Sequence, residues 1–370
     1  MAGTRFLVVG TGLLGGWILE LLARTPQPAQ IVAIDRDADR GLRKVNAVAR
    51  GARTMGSNVA LEFRAVDLAH QDQLAETVAE IAPDVVMQTA SLQAWWVVNA
   101  LPPPVYDKVA QAGLGAWLPM HLAPTASLMR ALAAAGLSPI VVSAPFPDAV
   151  NAALGKLAPT VGLGNMDELV PMIAAEVARR LSLPESEIRV WMVGHHFHNA
   201  ALLDHGTTGG APYFLRVDAA GEEVTCRWPS DELLLAATRN YPLGAEDTPM
   251  IASSAIKNAL ALLAGTATFT HAPGPLALPG GYPVRLGAGK VELALPPGLA
   301  REEAVRLNLE AQRFDGIESI GADGTVRCTD RTVAIMREVF GFDCSRYSVD
   351  GAWEQARELS AAYRRVAERS

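Results

Sequence analysis

Four of the chain's seven histidines fall within Trp191 to His205, WMVGHHFHNAALLDH. Imidazole titrates near neutrality and also ligates divalent metals, so His195, His196, His198 and His205 could serve proton transfer or, with Asp204, metal binding. Read as the end of a strand, the stretch puts His196 and His198 on one face and His195 on the other. At most part of the cluster then converges on one ion, which favours proton transfer without a bound metal.

A second signature opens the chain. The apolar run FLVV leads straight into GTGLLG, Gly10 to Gly15, and then into the helix-like WILELLAR. Gly10 permits a tight turn, Gly12 lets the backbone approach a pyrophosphate, and Gly15 allows close helix-strand packing. Thr11, Leu13 and Leu14 complete a loop whose following helix N-terminus faces the phosphates. A second apolar strand, Ile31 to Ile34, ends in Asp35, an acid placed to accept from the ribose hydroxyls of NAD. Arg36, Arg40 and Arg43 follow and could accommodate a 2′-phosphate, so NADP is possible, although Asp35 would repel it and NAD is preferred.

These residues need a scaffold, and the first 150 residues supply its pattern. LEFRAVD, DVVMQTA and PIVVSAP read as third, fourth and fifth strands, alternating with helices such as QDQLAETVAEIA. The implied fold class is α/β: an N-terminal Rossmann doubly wound parallel sheet with a C-terminal α+β substrate domain. Asp67, Thr89, Ala90 and Ser143 end these strands and are expected at the same cofactor edge. A long insert at 91–121, containing Trp95, Trp96 and three consecutive prolines, leaves that edge and reads as a lid or as an apolar interface loop.

Length and composition set the frame. At 370 residues the chain suits two domains rather than one core. The expected units are a Rossmann domain at 1–158, a substrate domain at 159–320 and a helical extension at 321–370, packed on the body or against another subunit. A net charge of −7 without a basic stripe argues against nucleic acid, and no apolar run is long enough for a membrane span. Three scattered cysteines encode neither a disulfide framework nor a thiolate metal site. A cytoplasmic homodimer or homotetramer acting on a small molecule is expected.

From SAPFPDAVNAALGKLAPTVGLGNMDELVPM through VWMVGHHFHN, the chain resembles the lactate/malate dehydrogenase-like superfamily, which includes the NAD-dependent glycosidases of glycoside hydrolase family 4. The resemblance runs loosely from residue 4 to about 315. It implies that His196 is the proton-transferring residue, that Asp167 orients it, and that the helix bearing Ser254, Lys257 and Asn258 faces the substrate. His198 would be a helper, and Lys257 either pairs with an anionic group or faces solvent. The chain departs from the pattern at Val170 and Pro171, where 2-hydroxy-acid dehydrogenases keep a carboxylate-binding arginine, and at Ala144, where they keep asparagine. Residues 91–121 contain no arginine. Without that clamp, a small hydroxy acid is a poor substrate. Gly164 replaces the cysteine that the glycosidase branch uses on its metal.

The expected reaction is hydride transfer between nicotinamide and a secondary alcohol or ketone. The alternatives are redox-assisted glycoside cleavage and, since VDLAHQDQLAETVAEIAPDVVMQTAS also resembles the Rossmann half of saccharopine dehydrogenases, imine reduction of the opine or saccharopine kind. The Tyr-x-x-x-Lys pair of short-chain dehydrogenases is absent, Tyr106 being followed four residues later by Ala110.

Overall fold

The computed structural model describes residues 3–241 and 244–368. Its first half alternates β1 (Thr4–Val9), α1 (Leu13–Leu22), β2 (Pro28–Asp35), α2 (Ala38–Thr54), β3 (Ala60–Ala65), α3 (Gln71–Ile81) and β4 (Val85–Gln88). The insert then contributes a 3-10 turn at Trp95–Ala100, α4 (Pro103–Ala110) and a second 3-10 turn at Leu114–Trp117. It is followed by α5 (Leu118–Ala134), β5 (Ile140–Ser143), α6 (Pro147–Leu154) and β6 (Val161–Gly162).

Six parallel strands form one sheet in the order β3-β2-β1-β4-β5-β6, the doubly wound arrangement. The runs FLVV and IVAI are buried because helices cover both faces of the sheet, as an all-parallel sheet requires. β6 lies beyond residue 158, so the sheet continues three to four residues into the span expected to begin the second domain.

α7 (Met166–Leu181) carries the chain into β7 (Ile188–Val193), α8 (His196–His205), β8 (Phe214–Ala219), β9 (Glu222–Glu223) and α9 (Ser230–Thr238). Then come α10 (Thr248–Leu263), β10 (Thr268–Pro273), β11 (Gly281–Gly287), β12 (Lys290–Leu293) and α11 (Arg301–Ala311). β7-β8-β9 and β10-β11-β12 are small antiparallel sheets. The apolar side of α10, through Ala252, Ala255 and Ala259, shares a core with Ile18 and Leu22 of α1, which ties the two halves together.

The C-terminal segment is not purely helical. β13 (Ile317–Ile320), β14 (Val326–Cys328) and β15 (Arg346–Tyr347) form an antiparallel sheet interleaved with α12 (Asp330–Phe340) and followed by α13 (Ala352–Ala367). Its core is shared with the first half: Ile317, Phe340, Tyr347 and Leu359 pack with Trp117, Met120, Phe146 and Val150. Trp117 meets Phe340 and Tyr363 edge-on, at ring-centroid separations of 5.5 and 5.9 Å. The end of the chain thus clamps the insert onto the Rossmann body.

Candidate active site

A cleft of about 700 Å³ opens at the carboxyl edge of the parallel sheet, where doubly wound folds place their ligands. Gly10, Gly12, Leu13, Leu14, Gly15, Asp35, Arg36, Asp67, Thr89 and Ala90 line one end. Gly10 adopts φ +91°, and a Cβ on Gly15 would lie 1.9 Å from the Gly10 carbonyl oxygen, so both glycines are required by the turn. At Gly12 a Cβ would meet no protein atom within 4 Å, so the backbone there is open to a ligand. The first N–H groups of α1 have no intrahelical acceptor, and its first-turn residues Leu13, Leu14 and Gly15 line the cleft. This cradle fits a pyrophosphate.

The remaining cofactor expectations divide. Asp35 Oδ2 accepts from the Thr11 backbone N–H at 2.7 Å and the Thr11 hydroxyl at 2.9 Å, and Arg40 Nη2 lies 3.0 Å from both carboxylate oxygens. Burial opposes the charge of Asp35, but these donors and the Asp37 N–H hold its pKa below the ordinary value. Thr11 is buried and acts through Asp35 rather than lining the cleft. Ser143 is likewise absent from the lining; it is fully buried and its hydroxyl has no hydrogen bond.

At the other end the strand reading of the histidine stretch fails. β7 stops at Val193, Gly194 bridges Gly281 instead of continuing the ladder, and His195 caps a helix that starts at His196. Residues two apart on a helix do not share a face, so His196 and His198 separate. His198 is buried: its Nδ1 accepts from the His195 N–H at 3.0 Å and its Nε2 lies 3.3 Å from the Ala211 carbonyl oxygen. Burial outweighs those contacts and holds its pKa at about 4, a neutral structural imidazole outside the cleft rather than a helper. Among the described residues, no group of three or more His, Cys, Asp or Glu side chains is placed to hold a metal.

His196 does line the cleft. Its backbone N–H donates to Asp148 Oδ1 at 2.9 Å, and its Nδ1 lies 2.7 Å from Asp315 Oδ2. Nε2 has no partner among the described residues and remains for a ligand. Asp315 is buried and held from its other side, Oδ1 accepting from the Leu114 N–H at 2.9 Å. His195 Nδ1 stands 3.5 Å from the same carboxylate oxygen as His196. Burial works against a charged His196, yet attraction to Asp315 and Asp148 raises its pKa to about 9. Burial likewise opposes the charge on Asp315, but the two histidines hold its pKa far below the ordinary range.

Asp167 therefore does not orient His196, as the resemblance implied. Its carboxylate points elsewhere in α7's surroundings, accepting from Ser254 and Lys257 and, at 3.1 and 3.3 Å, from Thr270 and Asn258. Lys257 is spent on this cluster, donating also to Thr270 at 2.6 Å, and does not line the cleft. The next residue, Glu168, does line it. Its oxygens accept from the Asn165 N–H at 2.9 Å and Asn199 Nδ2 at 3.0 Å, and burial outweighs these donors, raising its pKa to about 7.

Sequence reasoning missed Asp148, Asn165, Glu168 and Asp315. A signal existed for the first: Pro147 at a helix start with an acid beside it marks the first turn of α6. Asp148 also accepts from Asn165 Nδ2. Phe146 and Asn165, just before α6 and α7, adopt left-handed φ values of 44° and 56°, which non-glycine residues rarely hold without surrounding constraint. Phe146 closes one wall, its ring centroid 5.3 Å from that of His196.

Residues 6–111 match the NAD dependent epimerase/dehydratase family. No curated protein matches the chain. Among solved structures, the chain resembles malate dehydrogenase of Cryptosporidium parvum, at 15% identity and TM-score 0.58, over 85% of this chain and 98% of that one. It also resembles the minor L-lactate dehydrogenase of Enterococcus mundtii, at 13% identity and TM-score 0.57, over 84% and 96%. The NADH complex of Plasmodium falciparum malate dehydrogenase aligns over 95% and 99%, at 12% identity and TM-score 0.55. The fold is thus that of the lactate and malate dehydrogenases, a Rossmann unit joined to an α+β half. No described helix is long and apolar enough to cross a membrane.

Proposed function

We propose that the protein is a nicotinamide-dependent oxidoreductase, with NAD preferred over NADP, that interconverts a secondary alcohol and its ketone on a polar small molecule. The reading rests on one observation above all: His196, paired with buried Asp315 at 2.7 Å, lines the same cleft as the open glycine loop and Asp35. The match of residues 6–111 to an NAD-dependent family supports the cofactor. When bound, the nicotinamide supplies or accepts the hydride.

The chain's own task is then to hold the proton. Asp315 accepts from Nδ1–H, which fixes the ring's orientation and stabilises the imidazolium, leaving Nε2–H to protonate a carbonyl oxygen. In the oxidative direction Nε2 takes the hydroxyl proton. Asp148 pins the backbone at the start of α8, and Phe146 keeps water from one side of the ring.

His196→Ala should bind NADH as the wild type does, while ketone reduction on any substrate found by panel screening falls by about 10²- to 10⁴-fold. Unchanged turnover in that variant would remove His196 from the chemistry.

A further inference from the structure

The two ends of the cleft differ in charge: at the glycine-loop end Arg36 and Arg40 stand against Asp35 and Asp67, while the other end is acidic. Among the described lining residues, the lysines and arginines are Arg36 and Arg40, both beside Asp35. Around His196 the lining instead presents Glu168, Asp204, Asp247 and Asp315, with His205 beside Asp204. Asp315 is neutralised by His196, and the two oxygens of Glu168 meet only neutral donors.

Asp247 is the unusual member. It immediately precedes α10, is 8% exposed and lines the cleft, yet no ion pair or hydrogen bond from another residue reaches its carboxylate among the described contacts. A buried carboxylate without a counter-charge is costly, and such groups are normally paired. Asp204, exposed on the last turn of α8, and Glu168 face the same space. Burial first, then repulsion from Asp204, pushes Asp247 up to about 6, and Asp247 in turn contributes to the rise of Glu168. The nearby lysine of α10 is no remedy, because Lys257 is committed to Asp167.

A second feature points the same way. Asn199 donates through Nδ2 to Glu168, and its buried Oδ1, in a residue lining the cleft, has no donor. His121, 6% exposed and also lining the cleft, has a buried Nδ1 without a partner. What is missing at this end is a positively charged group rich in N–H donors.

We propose that the substrate carries an ammonium group, received by Asp247, Asp204 and Glu168 with Asn199 Oδ1 as a further acceptor. An ammonium brings three donors and the charge that this end lacks. A substrate carboxylate would meet repulsion here and find no arginine, unlike the hydroxy acids of the proteins that share the fold. This specificity rests on the cleft being the substrate site of the oxidoreductase reading.

Three small compounds sharing one secondary alcohol separate the cases: 1-amino-2-propanol, 1,2-propanediol and lactate, titrated calorimetrically into the NADH complex of the full chain. The amino alcohol should bind at least about tenfold tighter than the diol, and lactate more weakly than either. Asp247→Asn, and separately the exposed Asp204→Asn, should shrink that preference while the NADH dissociation constant stays fixed. Equal affinities, tighter lactate, or no binding of the amino alcohol up to about 100 mM overturns the proposal. So does Mn²⁺ alone binding at these carboxylates and blocking the amino alcohol. Ammonium preference without turnover on any alcohol or ketone would instead defeat the hydride-transfer reading and leave this one standing.

Discussion

His196 and Asp315 form one hydrogen-bonded ion pair, and its pH behaviour follows from the direction of each shift. With the imidazole raised to about 9, the pair's stabilisation is fully present below the ordinary imidazole value near 6.5 and is lost as pH rises through about 9. That stabilisation is on the order of 3 kcal/mol. Under the proposed function kcat for ketone reduction, read at saturating substrate, should hold constant below about 9 and decline above it, as the ring loses its proton. In Asp315→Asn the decline should begin at least about one pH unit lower, and the stability difference from wild type should vanish at high pH. A pH–rate profile superimposable on the wild type would show that Asp315 does not position the proton. Asp315 was illegible in the sequence because its partner lies 119 residues upstream and FDGIES carries no spacing signal. The place of His196 in the cleft, though not its role, was legible, because glycine and histidine directly after an apolar strand stand at a sheet edge.

The glycine loop shows why the Rossmann half could be read so fully. Its information is local: strand, turn, helix and acid lie within Phe6 to Asp35, and each glycine has a separate steric reason. Gly12→Ala should leave thermal unfolding unchanged, since the new methyl meets no protein atom, and should weaken NADH binding by filling the cradle. Gly15→Ala should lose both, because its Cβ would press on the Gly10 backbone; overpacking of this kind costs about 1–3 kcal/mol. Equal loss of melting temperature in both variants would contradict that division. The histidine stretch was misread for the opposite reason. Period-two alternation continued on paper past Val193, whereas the Gly194–Gly281 bridge, formed with a residue far downstream, ends the strand. Asp167 was misassigned in the same way, because Ser254, Lys257 and Thr270 capture it from two later elements.

For the whole molecule, the decisive arrangement is the return of residues 317–363 onto the insert. Tyr347 donates to the Ala116 carbonyl at 2.6 Å and Tyr363 to the Val97 carbonyl at 2.8 Å, so the C-terminal segment grips the insert at two points. Tyr347→Phe removes this buried hydrogen bond and should destabilise the fold by about 0.5–1.5 kcal/mol in chemical denaturation. NADH affinity should not change, because the strand and helix flanking the glycine loop pack, through Val9 and Ile18, into cores other than that of Tyr347. An unaltered denaturation midpoint would show that the clamp contributes nothing. Composition foretold two cores' worth of apolar residues, but not that the last fifty would share one with the insert.

The Asp315–His196 contact also sets an order in time. The glycine loop and first five strands are complete once residue 143 has been synthesised, and domains generally begin folding from the N-terminus during translation. The imidazole waits another 119 residues for its counter-ion. A nascent chain can therefore acquire its cradle for the dinucleotide long before His196 meets the carboxylate that orients its ring, and the clamp made by Tyr347 and Tyr363 follows later still.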